Sequence, residues 1–322
     1  MKIRSIILLV VMALCFNVKA QEIADWWNDV SVCQVNKVAP RTNVIPYQDE
    51  NGINNLEYRQ SPYYQCINGN WKFHWVEKPA DKPQGFYAEG YDVSSWNTIP
   101  VPANWELNGY GIPVYINQQN EFPSNQPYAP TEYNPVGCYV HNFNIPAEWD
   151  GRNVYINFGA VKSAFYLWIN GKFVGYSEDS KTPAEFDITE YLTDGENTLA
   201  VEVYRWCTGS WMEDQDFFRL AGIFRPVYIY TTNKQYIEDF KVVELVKDEE
   251  WEIFIRMEML TCLTDYLRDR VLSQDEVIKL GVDLCTALER CHSKNIMHRD
   301  IKPANIFVNE AGVFKLGDFG IA

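Results

Sequence analysis

Apolar and polar positions alternate with a period of two through the middle of the chain. Val154, Ile156 and Phe158 alternate with Tyr155 and Asn157, and Phe165, Leu167 and Ile169 alternate with Tyr166 and Trp168. Successive strand side chains point to opposite faces, so this period predicts strands with one face turned to a core. Asn170-Gly171 follows the second run. Both residues tolerate positive φ, and the pair predicts a two-residue hairpin. Thr198 to Tyr204 repeats the alternation after the turn residues Asp194-Gly195-Glu196-Asn197. Many short strands between Pro and Gly turns predict an antiparallel β-sandwich. Residues 21–65 are less regular and read as a leading arm.

The period changes after residue 250. Val277, Leu280, Gly281, Leu284, Leu288 and Cys291 fall at helical spacing. Ser273-Gln274-Asp275-Glu276 forms a capping box, in which the Ser and Glu side chains satisfy backbone N–H groups at a helix start. The helix is predicted from Ser273 to about Lys294. Residue usage shifts at the same place: all eleven Trp lie at or before Trp251, and Tyr266 is the only Tyr beyond it.

The first twenty residues follow another pattern. Lys2 and Arg4 precede an apolar run from Ser5 to Phe16, and Val18-Lys19-Ala20 puts small residues at a cleavage position. The run is too short to span a bilayer comfortably and reads as an export signal that leaves Gln21 first. A secreted or periplasmic location follows from it. Cys15 belongs to the apolar run, and no other stretch is long and apolar enough to span a membrane.

The net charge is −15, with most of the acidic excess in residues 21–240, which carry 14 Lys/Arg against 28 Asp/Glu. Such a surface repels phosphate backbones and excludes nucleic acid as a partner. Cys33, Cys66, Cys138, Cys207, Cys262, Cys285 and Cys291 show no CxxC spacing. Zinc ligation and a disulfide framework are unsupported, and buried free thiols are expected.

Several stretches resemble, in order, the N-terminal domain of glycoside hydrolase family 2, closest to β-galactosidases. They are Asn68-Gly69-Asn70-Trp71-Lys72-Phe73, VPANWELNGYGIPVYIN (101–117), Pro135-Val136-Gly137-Cys138-Tyr139, SAFYLWINGKFVGYSEDSKTPAEFDIT (163–189) and RWCTGSWMEDQDFFRLAGIFRPVYI (205–229). The resemblance implies a galactose-binding-like jelly-roll sandwich over residues 66–235. Such a domain packs beside a barrel, completes a galactoside pocket and lacks the catalytic glutamates. It implies that Asn117 reaches the galactosyl site. Asp216 would contact sugar hydroxyls and help hold Na⁺. A carboxylate accepts from two hydroxyls at once, and an oxygen ligand suits a hard cation. Read alone, Asn117 is a turn residue and Asp216 a partner of Arg219 or Arg225. The neighbouring carboxylates Glu213, Asp214 and Asp216 alternate along one strand. They read as structural, because retaining hydrolysis needs two carboxyls about 5 Å apart across a sugar. His74 and His141 read as core or surface histidines.

A second resemblance covers residues 240–322. His298-Arg299-Asp300-Ile301-Lys302-Pro303-Ala304-Asn305, followed by Asp318-Phe319-Gly320, is similar to the catalytic and metal-binding loops of serine/threonine protein kinases. Ile253 to Leu260 looks like the strand entering the kinase hinge. The resemblance implies that Asp300 orients the substrate hydroxyl, Lys302 steadies the γ-phosphate, and Asn305 and Asp318 hold Mg²⁺. There is no Gly-rich loop, V-A-I-K lysine or helix-C glutamate, and the sandwich occupies their place. The activation segment would lie beyond Ala322. ATP–Mg²⁺ binding would need those parts, and this segment is expected to be poorly ordered. An export signal and a cytosolic kinase fragment are at odds, which suggests a chimeric chain inactive as it stands. Three readings follow: a β-galactosidase front part, a kinase fragment, and a non-hydrolytic carbohydrate-binding module.

Overall fold

The computed structural model describes residues 24–42, 44–48, 58–116, 121–213, 216–237, 239–247, 250–257, 260–268, 270–293, 301–309 and 312–317. The predicted export signal therefore lies outside the described residues, as do Asn117, Asp214, Asp300 and Asp318. Among the described residues no helix is long and apolar enough to cross a membrane.

Residues 64–232, with one short strand from the arm, build two antiparallel sheets. The larger has seven strands in the spatial order Gln34–Val35, Lys172–Ser177, Ala164–Ile169, Glu196–Tyr204, Val136–Asn144, Gly69–Val76, Asn97–Val101. The smaller has four, in the order Ala184–Asp187, Asn153–Phe158, Val227–Thr232, Tyr64–Cys66. The alternating residues meet between them. Trp71, Phe73, Phe165, Leu167 and Val201 from the large sheet pack against Ile156, Phe158, Phe186 and Ile229 from the small one. The predicted hairpin forms: Ile169 pairs with Lys172 across Asn170 and Gly171, at φ 50° and 73°.

The outward faces are not left to water. Along Asn153–Phe158 every residue after Asn153 is buried, including Tyr155 and Asn157. The leading arm supplies the cover. Trp27 stacks on Tyr204 at 4.9 Å on the outer face of the large sheet. Gln34 and Val35 then pair with Ser177 and Tyr176 at the sheet edge. Arg41 reaches the outer face of the small sheet, where its Nη2 lies 2.6 Å from Glu185 and its guanidinium lies over the Tyr155 ring. Glu202, also outward-facing, is buried and accepts from Lys82 at 2.7 Å. Charges removed from water in this way need partners, and both carboxylates have them.

Beyond the sandwich, Phe240–Lys247 pairs with Glu250–Met257 as a separate hairpin. Leu260–Cys262, Ile306–Asn309 and Phe314–Leu316 form a three-stranded sheet. The helix runs Gln274–His292, close to the predicted span, and Ser273 is its N-cap: Glu276 N–H donates to Ser273 Oγ at 3.3 Å and Ser273 N–H to Glu276 Oε2 at 2.8 Å. The core here is small, built on Leu263, Ile306, Val308 and Phe314. The thiols only partly match expectation: Cys138 and Cys207 are buried, but Cys33, Cys66 and Cys285 are exposed. Cys33 lies in the arm and Cys66 ends an edge strand, so neither reaches a core. His141 stacks on Trp71 at 4.8 Å and His74 packs on Trp96, consistent with structural histidines.

Candidate functional site

A short ribbon carries the predicted sugar contact. Val114–Ile116 pairs antiparallel with Phe217–Arg219, setting Tyr115 opposite Phe218 and Ile116 opposite Phe217. Asp216 is exposed at the end of this ribbon and accepts from the Tyr115 hydroxyl, which the carboxylate holds above its usual pKa range. The Tyr115 and Phe218 rings, both exposed, lie 5.5 Å apart. A carboxylate and a pair of open aromatic rings thus share one surface. Asn117 follows Ile116, whose partner Phe217 follows Asp216. Asp216 forms no ion pair among the described residues. Arg219 donates to the Glu213 carbonyl and Arg225 to the Lys181 carbonyl. Glu213 accepts from the Ser180 N–H at 2.7 Å and its hydroxyl at 2.6 Å, a structural role.

What holds the ribbon lies beneath it. Lys162, Lys181 and Arg219 all place their cationic ends over the Phe217 ring, at 4.8, 4.8 and 4.5 Å. A ring face attracts cations through its quadrupole. Burial pushes the Lys162 ammonium down to about 8, against the pull of Glu121 and Glu213. Arg205 is buried deeper still. Its guanidinium lies 3.2 Å from Glu106 and 2.8 Å from Glu121, and it donates to the carbonyls of Ile112 and Arg219. One side chain therefore ties the chain before one ribbon strand to the end of the other. Glu106 also accepts from the Ala221 N–H at 2.9 Å; burial nonetheless raises its carboxyl pKa. Sequence reasoning missed Tyr115, Lys162, Arg205, Glu106 and Glu121. Tyr115, Glu106 and Arg205 sat inside the resembling stretches, but only pairing across about a hundred residues gives them partners.

In the second segment Lys302 is exposed and Asn305 is buried in the turn Pro303–Asn305. Gly317 N–H donates to the Asn305 carbonyl at 2.9 Å, so Asn305 meets the chain just before Asp318. No group of three His, Cys, Asp or Glu among the described residues could hold a metal. Asp216 with the Tyr115 hydroxyl offers oxygen donors within reach of solvent, which suit a hard cation.

Residues 64–233 match the family described as glycosyl hydrolases family 2, sugar binding domain. The chain belongs to this family. Residues 231–322 match the protein kinase domain family. The chain is 48% identical over 222 residues to a β-galactosidase of Priestia megaterium, an alignment covering 68% of this chain and 22% of that protein. It is 39% identical over 264 residues to a β-galactosidase of Halalkalibacterium halodurans, covering 75% of this chain and 26% of that one. The chain thus spans about a quarter of the length of these relatives. A solved structure of a Bacteroides uniformis β-glucuronidase 2 aligns over 62% of this chain and 22% of its own, with 24% identity and a TM-score of 0.49.

Proposed function

We propose that residues 66–235 are the sugar-binding front part of a β-galactosidase and engage a terminal β-galactoside without hydrolysing it. The match of residues 64–233 to the sugar binding domain carries this reading. The ribbon geometry supports it: Asp216 can accept from sugar hydroxyls while Tyr115 and Phe218 offer carbon-rich ring faces to the sugar's C–H groups. Asn117 would add an amide to the same site, and Na⁺ would neutralise the Asp216 carboxylate there. Residues 1–20 would direct export to the periplasm or outside the cell.

The test is titration of lactose into the full chain by calorimetry. Weak binding near millimolar is expected, and Asp216→Asn should weaken it by about tenfold, the loss of one charge-assisted hydrogen bond. Absence of heat at millimolar lactose overturns the reading. No release of nitrophenol from o-nitrophenyl galactoside is expected.

The match of residues 231–322 to the kinase family supports a second origin for residues 240–322. Lys302, Asn305, Asp300 and Asp318 would serve phosphoryl transfer, with Mg²⁺ and ATP, only alongside the parts that the sandwich replaces. The chain is then a chimera. A PCR product across the codons for residues 200–300 of source DNA would establish a continuous gene. Two separate full-length genes would divide the functions between two proteins.

A further inference from the structure

A second concave site is lined by none of the ribbon residues. The arm segment 33–41 bridges the edge of the sandwich and encloses a cavity of about 580 Å³ with the 178–183 and 209–213 loops. That volume falls within the range of about 300–1,000 Å³ typical of small-molecule sites. Val38, Pro40, Pro183 and Met212 give it carbon surface, and Lys37, Glu178, Asp179 and Glu185 give it polar groups.

The lining decides the ligand class. Arg41 is already paired with Glu185 at 2.6 Å. Glu178 is buried and accepts from the Tyr176 hydroxyl and the Gly209 N–H. Burial raises its carboxyl pKa, and lowers that of Lys37 against the pull of Asp179. With Glu213 also in the lining, acidic groups outnumber basic ones, so an anion gains nothing on entering. Most of the lining surface is carbon, so the occupant needs carbon faces as well as hydrogen-bonding groups. A neutral sugar has both: carboxylate oxygens carry spare lone pairs for its hydroxyls, and the Lys37 ammonium offers donors.

We propose that the cavity between the arm and the sandwich edge is a second binding site for a neutral saccharide of one or two sugar units, independent of the Asp216 site. No ribbon residue lines the cavity, although Glu213, which does, accepts from Arg219 of the ribbon through its carbonyl.

Cys33 lines this cavity and is exposed, which provides a reporter. The full chain is alkylated with a maleimide in increasing lactose, and each cysteine is followed by peptide mass spectrometry. The rate at Cys33 should fall by the factor 1 + [L]/Kd, about elevenfold at ten times Kd, while Cys66 and Cys285 are unchanged. The slowing should persist in Asp216→Asn. It should disappear in Ala39→Trp, a change on the exposed arm that fills the cavity. An unchanged Cys33 rate at saturating lactose overturns the proposal. So does equal slowing by glycerol, equal slowing at Cys66, or protection that survives Ala39→Trp in a chain whose circular dichroism is unaltered.

Discussion

In the sandwich, Trp71 and Phe73 are fully enclosed between two sheets, whereas the 19-residue helix of the kinase-like segment contains no buried residue at all. Both regions have sound local chemistry: the sandwich has its hairpin, the helix its capping box. What separates them is the second layer. The sandwich sheets cover each other inside, and the arm and loops cover them outside. The helix turns Leu280 and Leu284 toward a four-residue cluster and leaves Val277, Ile278 and Val282 more than half exposed. Local signals specify an element, but buried area on both sides of it supplies most of its stability.

The largest effect expected from this contrast comes from truncating an apolar side chain in each region. Phe73→Ala should cost about 3–5 kcal/mol in urea unfolding followed by tryptophan fluorescence, because the cavity cannot collapse between two sheets. Val277→Ala should change the helical circular-dichroism transition by less than about 0.5 kcal/mol. Equal costs would break the comparison, since Val277 would then have to be packed. Arg205→Met probes the sandwich at a polar point. It leaves Glu106 and Glu121 buried without their cation, for a loss of about 3–5 kcal/mol. Since Arg205 also holds the ribbon, lactose binding should weaken with stability; unchanged binding would show that the ribbon is held by other contacts.

How much of this was legible in the sequence follows the same division. Val154, Ile156 and Phe158 announced their inward face by period alone, and Asn170-Gly171 and Ser273 announced their turns by backbone chemistry. The outer cover was not legible, because Arg41–Glu185 and Trp27–Tyr204 join positions far apart in the chain. A faint signal existed: the outward positions Tyr155, Tyr166 and Trp168 are aromatic where a solvated face would carry charge. For the site, the resemblance pointed to Asp216, and the structure adds the Tyr115 hydroxyl beside it. Arg205 was invisible because its partners, Glu106 and Glu121, come from separate loops.

Lys162 sharpens the comparison through pH. Its folded pKa is lowered from 10.5 to about 8, so between those values the unfolded chain binds more protons than the folded one. Stability of the sandwich should therefore rise as pH increases from about 8 toward 10. The limit is roughly 3 kcal/mol at about 1.4 kcal/mol per pKa unit. Lys162→Met should flatten this rise; an unchanged slope would mean that the ammonium is solvated. Below pH 8 the buried charge is a standing cost, so Lys162→Met should also be the more stable form at neutral pH.

The smallest effect belongs to the helix. Ser273→Ala removes an N-cap and should cost about 1 kcal/mol of local helix stability, read by amide exchange across 274–280, with no change in the sandwich. Glu276, the other half of the box, is held down to about 2 by the Ser273 backbone N–H and side chain. Its folded pKa is depressed, so its contribution is complete above its ordinary value of 4.5 and fades as pH falls toward about 2. Acidification should consequently loosen the helix N-terminus before it disturbs the sandwich. A helix with no buried residue has only its cap and one partly packed face to resist fraying, so even this modest loss should be visible in exchange. If Ser273→Ala leaves exchange unchanged, the helix is already open at its N-terminus, and the contrast with the enclosed sandwich is larger than the capping geometry suggests.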